Sequence, residues 1–105
     1  MEPKSALLDE LMERIHRVAQ PTRVILFGSA AREEMRPDSD LDVLVVVRDD
    51  VDCRDTARRI YRSLIGFAVA VDVVVATQDD LRRYGDSYSL VYYPALREGR
   101  ELYAA

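Results

Sequence analysis

One cysteine and one histidine occur in the 105 residues, and this scarcity excludes several kinds of site. A single Cys53 permits no internal disulfide and no metal site built from clustered cysteines. Cys53 falls on the apolar face of an expected helix, where a thiol serves as a small core side chain and not as a nucleophile. His16, the sole imidazole, is distant in sequence from the acidic residues described below. A Ser-His-Asp or Cys-His catalytic set therefore has no basis here.

Long hydrophobic runs are also missing. The two longest apolar stretches, residues 41–47 and 67–76, are each interrupted by an aspartate and are far too short to span a bilayer. Residues 1–20 mix acids with bases and do not have the pattern of a signal peptide. We therefore expect one globular domain over residues 1–105, located in the cytoplasm and without a membrane segment.

An excess of basic residues is likewise absent, because the formal net charge is −4. Broad nucleic-acid binding usually needs a basic patch, so this balance argues against it. Four arginines on one expected helix are a local exception, although such a cluster is more often the solvated face of a helix: Arg54, Arg58, Arg59 and Arg62.

Predicted helices and strands alternate along the chain. Apolar residues at helical spacing and turn signals predict two long and three shorter helices: 5–19, 51–65, 29–34, 78–84 and 86–97 or 98. Continuous apolar runs predict three buried strands and a small edge strand: 24–27, 40–47, 67–76 and 101–103. Thr77 and Asp80 have the spacing of a helix cap, and Gly99 is expected to close the last helix. This alternation predicts an α/β fold with a small, mixed central sheet flanked by helices.

Aspartates interrupt two of these strands, although aspartate is disfavoured in strands. Asp40 and Asp42 are two residues apart, so on a strand they project from the same face, roughly 7 Å apart along the backbone. Asp72 has apolar neighbours on both sides. If its strand lies beside the 40–47 strand, three carboxylates converge on one point and raise one another's pKa values.

A divalent cation would remove this repulsion. Oxygen ligands favour a hard ion, which is Mg²⁺ or alternatively Mn²⁺. Asp40, Asp42 and Asp72 are therefore predicted to be metal ligands and catalytic residues. The competing interpretation is structural, with these aspartates paired to arginines or placed at strand ends.

Gly28 and Ser29 stand where a predicted strand ends and a helix begins. A helix N-terminus offers free N–H groups to a phosphate, and a glycine lets a ligand approach the backbone closely. Arg32, one turn along, is a further candidate for phosphate binding. Alone, such a pair is more often an ordinary turn with a serine cap. Placed before the acidic pair, it favours phosphoryl or nucleotidyl transfer, with metal ions acting on the triphosphate and on the attacking hydroxyl.

At these residues the sequence resembles a known family. Gly28-Ser29, followed after ten residues by Asp40-Leu41-Asp42, resembles the signature of the DNA polymerase beta-like nucleotidyltransferase superfamily. The residues around this signature, the isolated Asp72 and the ending at 97–103 look like its minimal nucleotidyltransferase (MNT) branch. The resemblance covers nearly the whole chain. It implies the nucleotidyltransferase fold, ATP binding, two Mg²⁺ ions and transfer of AMP.

The resemblance also implies a partner protein. Many MNT proteins are antitoxins that pair with a HEPN-domain toxin, an RNase, and adenylylate a tyrosine on it. Larger relatives hold their acceptor with an added helical domain. Here we expect the acceptor to come from another chain or from a second copy of this one. Five late tyrosines are candidates for the contact surface, although two of them, at helical spacing, equally fit a local core: Tyr84, Tyr88, Tyr92, Tyr93 and Tyr103.

One position departs from the family pattern. The family usually has a glycine after the Ala31-Arg32 pair, and this chain has Glu33 followed by Glu34. If that glycine takes a left-handed conformation, Glu33 there costs on the order of 1 kcal/mol, and the two acids weaken the attraction for a triphosphate. Three functions remain open at this point. They are an adenylyltransferase acting on a toxin, an antitoxin that works by occlusion, and a subunit of a small-molecule nucleotidyltransferase of the aminoglycoside type.

Overall fold

A computed structural model of the protein describes residues 5–28, 40–84, 95 and 97–105. The elements follow in the order α1 (Ser5–Val18), β1 (Arg23–Phe27), β2 (Leu41–Val47), α2 (Cys53–Ser63), β3 (Val71–Thr77), α3 (Gln78–Tyr84) and β4 (Arg100–Ala104). Ala95, Arg97 and Glu98 are helical. The helix expected at 29–34 and most of the helix expected from residue 86 lie outside the described residues.

The four strands form one mixed sheet in the order β3-β2-β1-β4. β1 is antiparallel to both of its neighbours, whereas β2 and β3 are parallel. A parallel pair needs a crossover connection, and α2 supplies it. Because α2 runs back along the sheet, it ends at the end of the sheet where β2 and β3 both begin. The predicted α/β fold with a small mixed sheet is confirmed.

Side chains alternate between the two faces of the sheet, and each face has its own core. The larger core contains buried residues of α1, α2 and alternate strand positions: Leu8, Leu11, Ile15, Val24, Leu26, Leu41, Val43, Val45, Val47, Ile60 and Val73. The smaller core covers the opposite face: Ile25, Leu44, Val46, Ala76 and Ala95. Asp42 and Asp72 lie two residues before members of the smaller core or its margin, Leu44 and Val74. They therefore share that second face.

The first helix follows its predicted pattern closely. α1 ends at Val18, three residues before the buried Pro21. His16 is exposed, as expected, and its ring meets the ring of Tyr103 edge-on, with centroids 4.6 Å apart. No helix within the described ranges has both the length and the apolar character needed to cross a bilayer.

The third strand begins later than the apolar run predicts. Residues 67–70 are an irregular connection, and Ala68 and Ala70 are exposed. The chain turns at Gly66, which has a φ of 83°. Arg14 of α1 donates hydrogen bonds to two carbonyl oxygens before the turn, those of Ser63 and Ile65, both at 2.9 Å. These contacts anchor the chain before the turn that precedes residues 67–70, and apolar composition alone could not distinguish that segment from a strand.

The predicted cap at the start of α3 is confirmed in both directions. The backbone N–H of Thr77 donates to Oδ2 of Asp80, and the backbone N–H of Asp80 donates to Oγ1 of Thr77, each at 3.0 Å. This reciprocal pair satisfies two donors that a helix start leaves free. The helix can therefore begin directly where β3 ends.

Gly99 occupies a position with no room for a side chain. Its N–H donates to the carbonyl oxygen of Ala95 at 3.0 Å. A Cβ at residue 99 would overlap that same oxygen and Cγ2 of Ile25, and it would lie 3.1 Å from the carbonyl oxygen of Leu26. The glycine is thus required by close packing between the helical end and β1.

Gly99→Ala is expected to lower the free energy of unfolding by about 3 kcal/mol, the upper part of the range for overpacking a tight core. Backbone atoms supply two of the three contacts, so relief requires the chain segments to separate. Urea denaturation at equilibrium measures the change. A midpoint equal to that of the wild type would contradict the packing described for this position.

Candidate active site

Asp42 and Asp72 stand opposite each other on neighbouring parallel strands. The register of β2 and β3 pairs these two residues directly. Their carboxylates are near enough for repulsion from Asp72 to raise the pKa of Asp42. The prediction that the strand of Asp72 lies beside the strand of Asp42 is therefore confirmed.

Asp40 lies just outside β2, immediately before Leu41. The N–H of Leu41 donates to the carbonyl oxygen of Ala70 at 3.0 Å, so pairing between the strands already begins there. Leu41 is fully buried in the larger core, and Asp40 and Asp42 flank it. Asp40 is exposed, Asp42 is half-buried and Asp72 is exposed. The three acids thus form the rim of the site, with Asp42 innermost.

The charge of Asp42 is disfavoured by its surroundings. Burial raises the pKa of this carboxyl most, followed by repulsion from Asp72 and then from Asp40. Among the ion pairs within the described residues, none joins an arginine to these three carboxylates. Of the two structural alternatives, pairing with arginines is therefore not seen in this part of the chain. Placement at a strand end applies to Asp40, which precedes β2, while Asp42 and Asp72 are each the second residue of their strand.

Gly28 brings backbone directly against Asp42. It follows β1, whose last residue, Phe27, pairs with Asp42 across the sheet. The φ of Gly28 is 72°, a conformation that favours glycine. A Cβ there would overlap Oδ2 of Asp42 and lie 3.3 Å from its Cγ. Ser29, Arg32 and Glu33 lie outside the described residues, so their predicted roles stay predictions.

The chemistry of the donors fits a hard divalent cation. Asp42 and Asp72 offer paired carboxylate oxygens, and a positive charge between them would offset the repulsion that raises the pKa of Asp42. Across the described ranges, three or more potential ligands are not gathered in the tight arrangement of a ready-made metal site. Asp42 and Asp72 are therefore a pair of carboxylates that could hold a cation, and the exposed Asp40 is the third candidate.

One contact beside the site leaves no signal in the sequence. The hydroxyl of Tyr61 accepts a hydrogen bond from the N–H of Val73 at 2.9 Å and lies 3.4 Å from the carbonyl oxygen of the same residue. Val73 follows Asp72 directly. From the sequence, Tyr61 is predicted only to lie on the apolar face of the helix expected at 51–65. No periodicity connects a helix residue with a particular strand residue twelve positions on.

Solved structures share this fold at low sequence identity. A toxin–antitoxin complex with AMP-PNP has a TM-score of 0.69 at 17% identity, over 93% of this chain and 73% of the other. The MntA-HepT toxin–antitoxin complex has a TM-score of 0.64 at 16% identity, over 97% and 74%. Spectinomycin adenyltransferase AAD(9) from Enterococcus faecialis, with ATP and spectinomycin, has a TM-score of 0.66 at 14% identity, over 91% and 56%. At such identities the likeness shows the fold.

Sequence comparison supplies the family. No curated protein matches the chain. The sequence profile of the nucleotidyltransferase domain matches residues 7–97, which include β1, β2 and β3 and therefore all three acids. Because this match spans most of the chain and agrees with the fold, the protein belongs to the nucleotidyltransferase domain family.

Proposed function

We propose that this chain is a metal-dependent nucleotidyltransferase that transfers AMP from ATP to a protein acceptor. We further propose that the acceptor is a HEPN-domain toxin, which the chain neutralises as its antitoxin. The observation that carries the proposal is the direct pairing of Asp42 with Asp72, with the backbone of Gly28 against Asp42. Paired carboxylates of this kind suit a bound cation, which in turn binds the phosphates of a nucleotide.

Each residue of the site has a distinct role in this proposal. Asp40, Asp42 and Asp72 would hold two Mg²⁺ ions, or Mn²⁺ in their place. Bound cations would neutralise the triphosphate and lower the pKa of the attacking hydroxyl. Gly28 has no side chain, so its backbone can lie against the carboxylate of Asp42. The residues proposed to bind the nucleotide are Gly28, Ser29 and Arg32.

The surface near the acids is compatible with a protein as the acceptor. Ile65 is 79% exposed, and it lies on the connection from α2 to β3, at the end of the sheet that carries the acids. A single exposed apolar side chain is common on protein surfaces, so Ile65 adds a possible contact and does not by itself define an interface. Two relatives in fold are toxin–antitoxin complexes, which adds support.

The structure describes two of the five late tyrosines. Tyr84 is 45% exposed at the end of α3 and remains available to a partner. Tyr103 is half-buried and meets His16, so it also serves the packing of β4 against α1. Tyr88, Tyr92 and Tyr93 lie outside the described residues. Of this set, Tyr84 is therefore the residue that we propose for the interface.

Transfer of label from α-labelled ATP tests the proposed function. With Mg²⁺ and a co-purifying HEPN-domain partner, we expect label on the partner. Asp40→Asn and Asp42→Asn are expected to remove it. Asp50→Asn is the matched control, because Asp50 is an exposed aspartate beyond the opposite end of β2 and should leave the labelling intact.

The same experiment separates the other two functions. Neutralisation of the toxin that persists in both Asn variants would indicate occlusion without catalysis. Label on an added aminoglycoside, with none on protein, would indicate a small-molecule nucleotidyltransferase, the activity class of the AAD(9) relative in fold. The first result would overturn transfer of AMP as the means of neutralisation, and the second would overturn a toxin as the acceptor.

A further inference from the structure

β3 is an outer strand, held by one neighbouring strand among those that the structure describes. Along a strand, backbone groups point alternately to either side. The carbonyl oxygen of Ala70 points to β2, where it accepts from Leu41, so Val73 directs its N–H and C=O to the outer side. Both groups meet the hydroxyl of Tyr61, at 2.9 Å and 3.4 Å. One phenol therefore takes the place of a second neighbouring strand at Val73.

The helix that carries Tyr61 is itself firmly anchored. Ile60, the preceding residue, is fully buried in the larger core, and Thr56 is buried one turn earlier. Asp52 accepts a hydrogen bond from the N–H of Asp55 at 3.0 Å and so caps the start of α2. The backbone of Tyr61 is thus fixed relative to the core, and its hydroxyl can restrain β3.

A restraint is needed at this point of the sheet. The carboxylates of Asp42 and Asp72 face each other in register and repel when both are charged. β2 is hydrogen-bonded to a strand on each side, whereas β3 has one described neighbour, so outward displacement of β3 is the easier way to relieve the repulsion. Val73, the residue that Tyr61 holds, is the next residue after Asp72.

We propose that Tyr61 is a positioning residue that holds β3 in place and so keeps Asp72 opposite Asp42, where both can bind one cation. This inference rests on the proposed function, because it presupposes that the site binds a metal. A purely protective role is the competing explanation: a hydroxyl that covers an outer strand also prevents its pairing with another chain.

Tyr61→Phe tests the proposal, since it keeps the ring and removes the hydroxyl. Thr22→Val is the matched control. The hydroxyl of Thr22 also donates to a strand backbone, the carbonyl oxygen of Val46 at 3.2 Å, but at the opposite end of the sheet. Both variants therefore lose hydrogen bonding between a hydroxyl and a strand, with two bonds lost in Tyr61→Phe and one in Thr22→Val, and only Tyr61 lies beside the acids.

Two measurements report whether Tyr61 restrains β3. Amide hydrogen exchange at Asp72 and Val73 should quicken about three- to tenfold in Tyr61→Phe, as expected for loss of one hydrogen bond. The dissociation constant for Mg²⁺, measured with a non-hydrolysable ATP analogue, should rise by a similar factor, about three- to tenfold. Thr22→Val should leave both quantities within about twofold of the wild type.

Several results would overturn the proposal. Unchanged Mg²⁺ affinity in Tyr61→Phe, with faster exchange at Val73, would leave only the protective role. Equal weakening of Mg²⁺ binding in Thr22→Val would mean that overall stability, and not the position of Asp72, sets the affinity. If the wild type bound no Mg²⁺, the proposed function would fail instead. Amide exchange would then still decide whether Tyr61 holds β3, and unchanged exchange would refute it.

Discussion

Replacement of Asp42 by asparagine is expected to lower the rate of nucleotidyl transfer by about a thousandfold or more, because it removes the innermost ligand charge of the site. Asp42 is the only one of the three acids that is half-buried and that faces both Asp72 and the backbone of Gly28. Asparagine keeps the shape of the side chain. A steady-state assay with labelled ATP measures the loss.

The same variant should not weaken the metal-free fold. The pKa of Asp42 is raised in the folded chain, chiefly by burial and then by Asp72 and Asp40. A raised pKa contributes stability below the ordinary aspartate range, and this contribution is lost as the pH rises through the folded value. At neutral pH the charged Asp42 therefore destabilises the folded chain when no cation is bound. Asp42→Asn removes this destabilisation, so its melting temperature without Mg²⁺ should equal or exceed that of the wild type.

Thermal denaturation with and without Mg²⁺ and nucleotide completes this test. The wild type should gain stability on adding both, because a ligand of the folded state shifts the unfolding equilibrium. Asp42→Asn should gain little, whereas Asp50→Asn should behave as the wild type. A fully active Asp42→Asn variant, or one that unfolds without metal, would contradict the role that we assign to this carboxylate.

Gly28→Ala is the second change with a large expected effect. The new Cβ would overlap Oδ2 of Asp42, so the carboxylate must turn away from Asp72 or the end of β1 must move. Because catalysis by bound cations depends on ligand position, we expect a loss of about a hundredfold in transfer rate. Labelled ATP again measures it, alongside a urea denaturation curve for each variant.

Gly66→Ala is the matched control for this substitution. Gly66 has a φ of 83°, close to the 72° of Gly28, but no described atom lies within 4 Å of the Cβ that alanine would add. Both alanines therefore carry the backbone cost of about 1 kcal/mol, and only residue 28 meets Asp42. If Gly66→Ala reduced transfer as much as Gly28→Ala, backbone strain and not the contact with Asp42 would explain the loss.

Much of the fold was predictable because each element leaves a local pattern. Helical spacing of apolar residues identified α1 and α2, and the reciprocal cap of Thr77 and Asp80 located the start of α3. Aspartates within apolar strands marked the site, since a carboxylate placed there costs free energy unless something compensates it. These patterns depend only on residues near one another along the chain.

Two features could not be predicted in this way. The apolar run from residue 67 predicts a strand, yet residues 67–70 form a loop, and Arg14 of α1 binds backbone just before it. The contact of Tyr61 with Val73 depends on where α2 packs against β3. Both involve side chains that meet backbone of another element, and such contacts leave no periodic signal.

The amino-acid sequence alone determined the α/β class, the family and the identity of the acids, because propensity, hydrophobic period and motif spacing are properties of neighbouring residues. Only the tertiary structure decided that Asp42 and Asp72 meet in register and that Gly28 lies against Asp42. The physical reason is that the register of the strands depends on how the helices and the two cores pack against the sheet. This packing is a property of the folded chain and not of neighbouring residues.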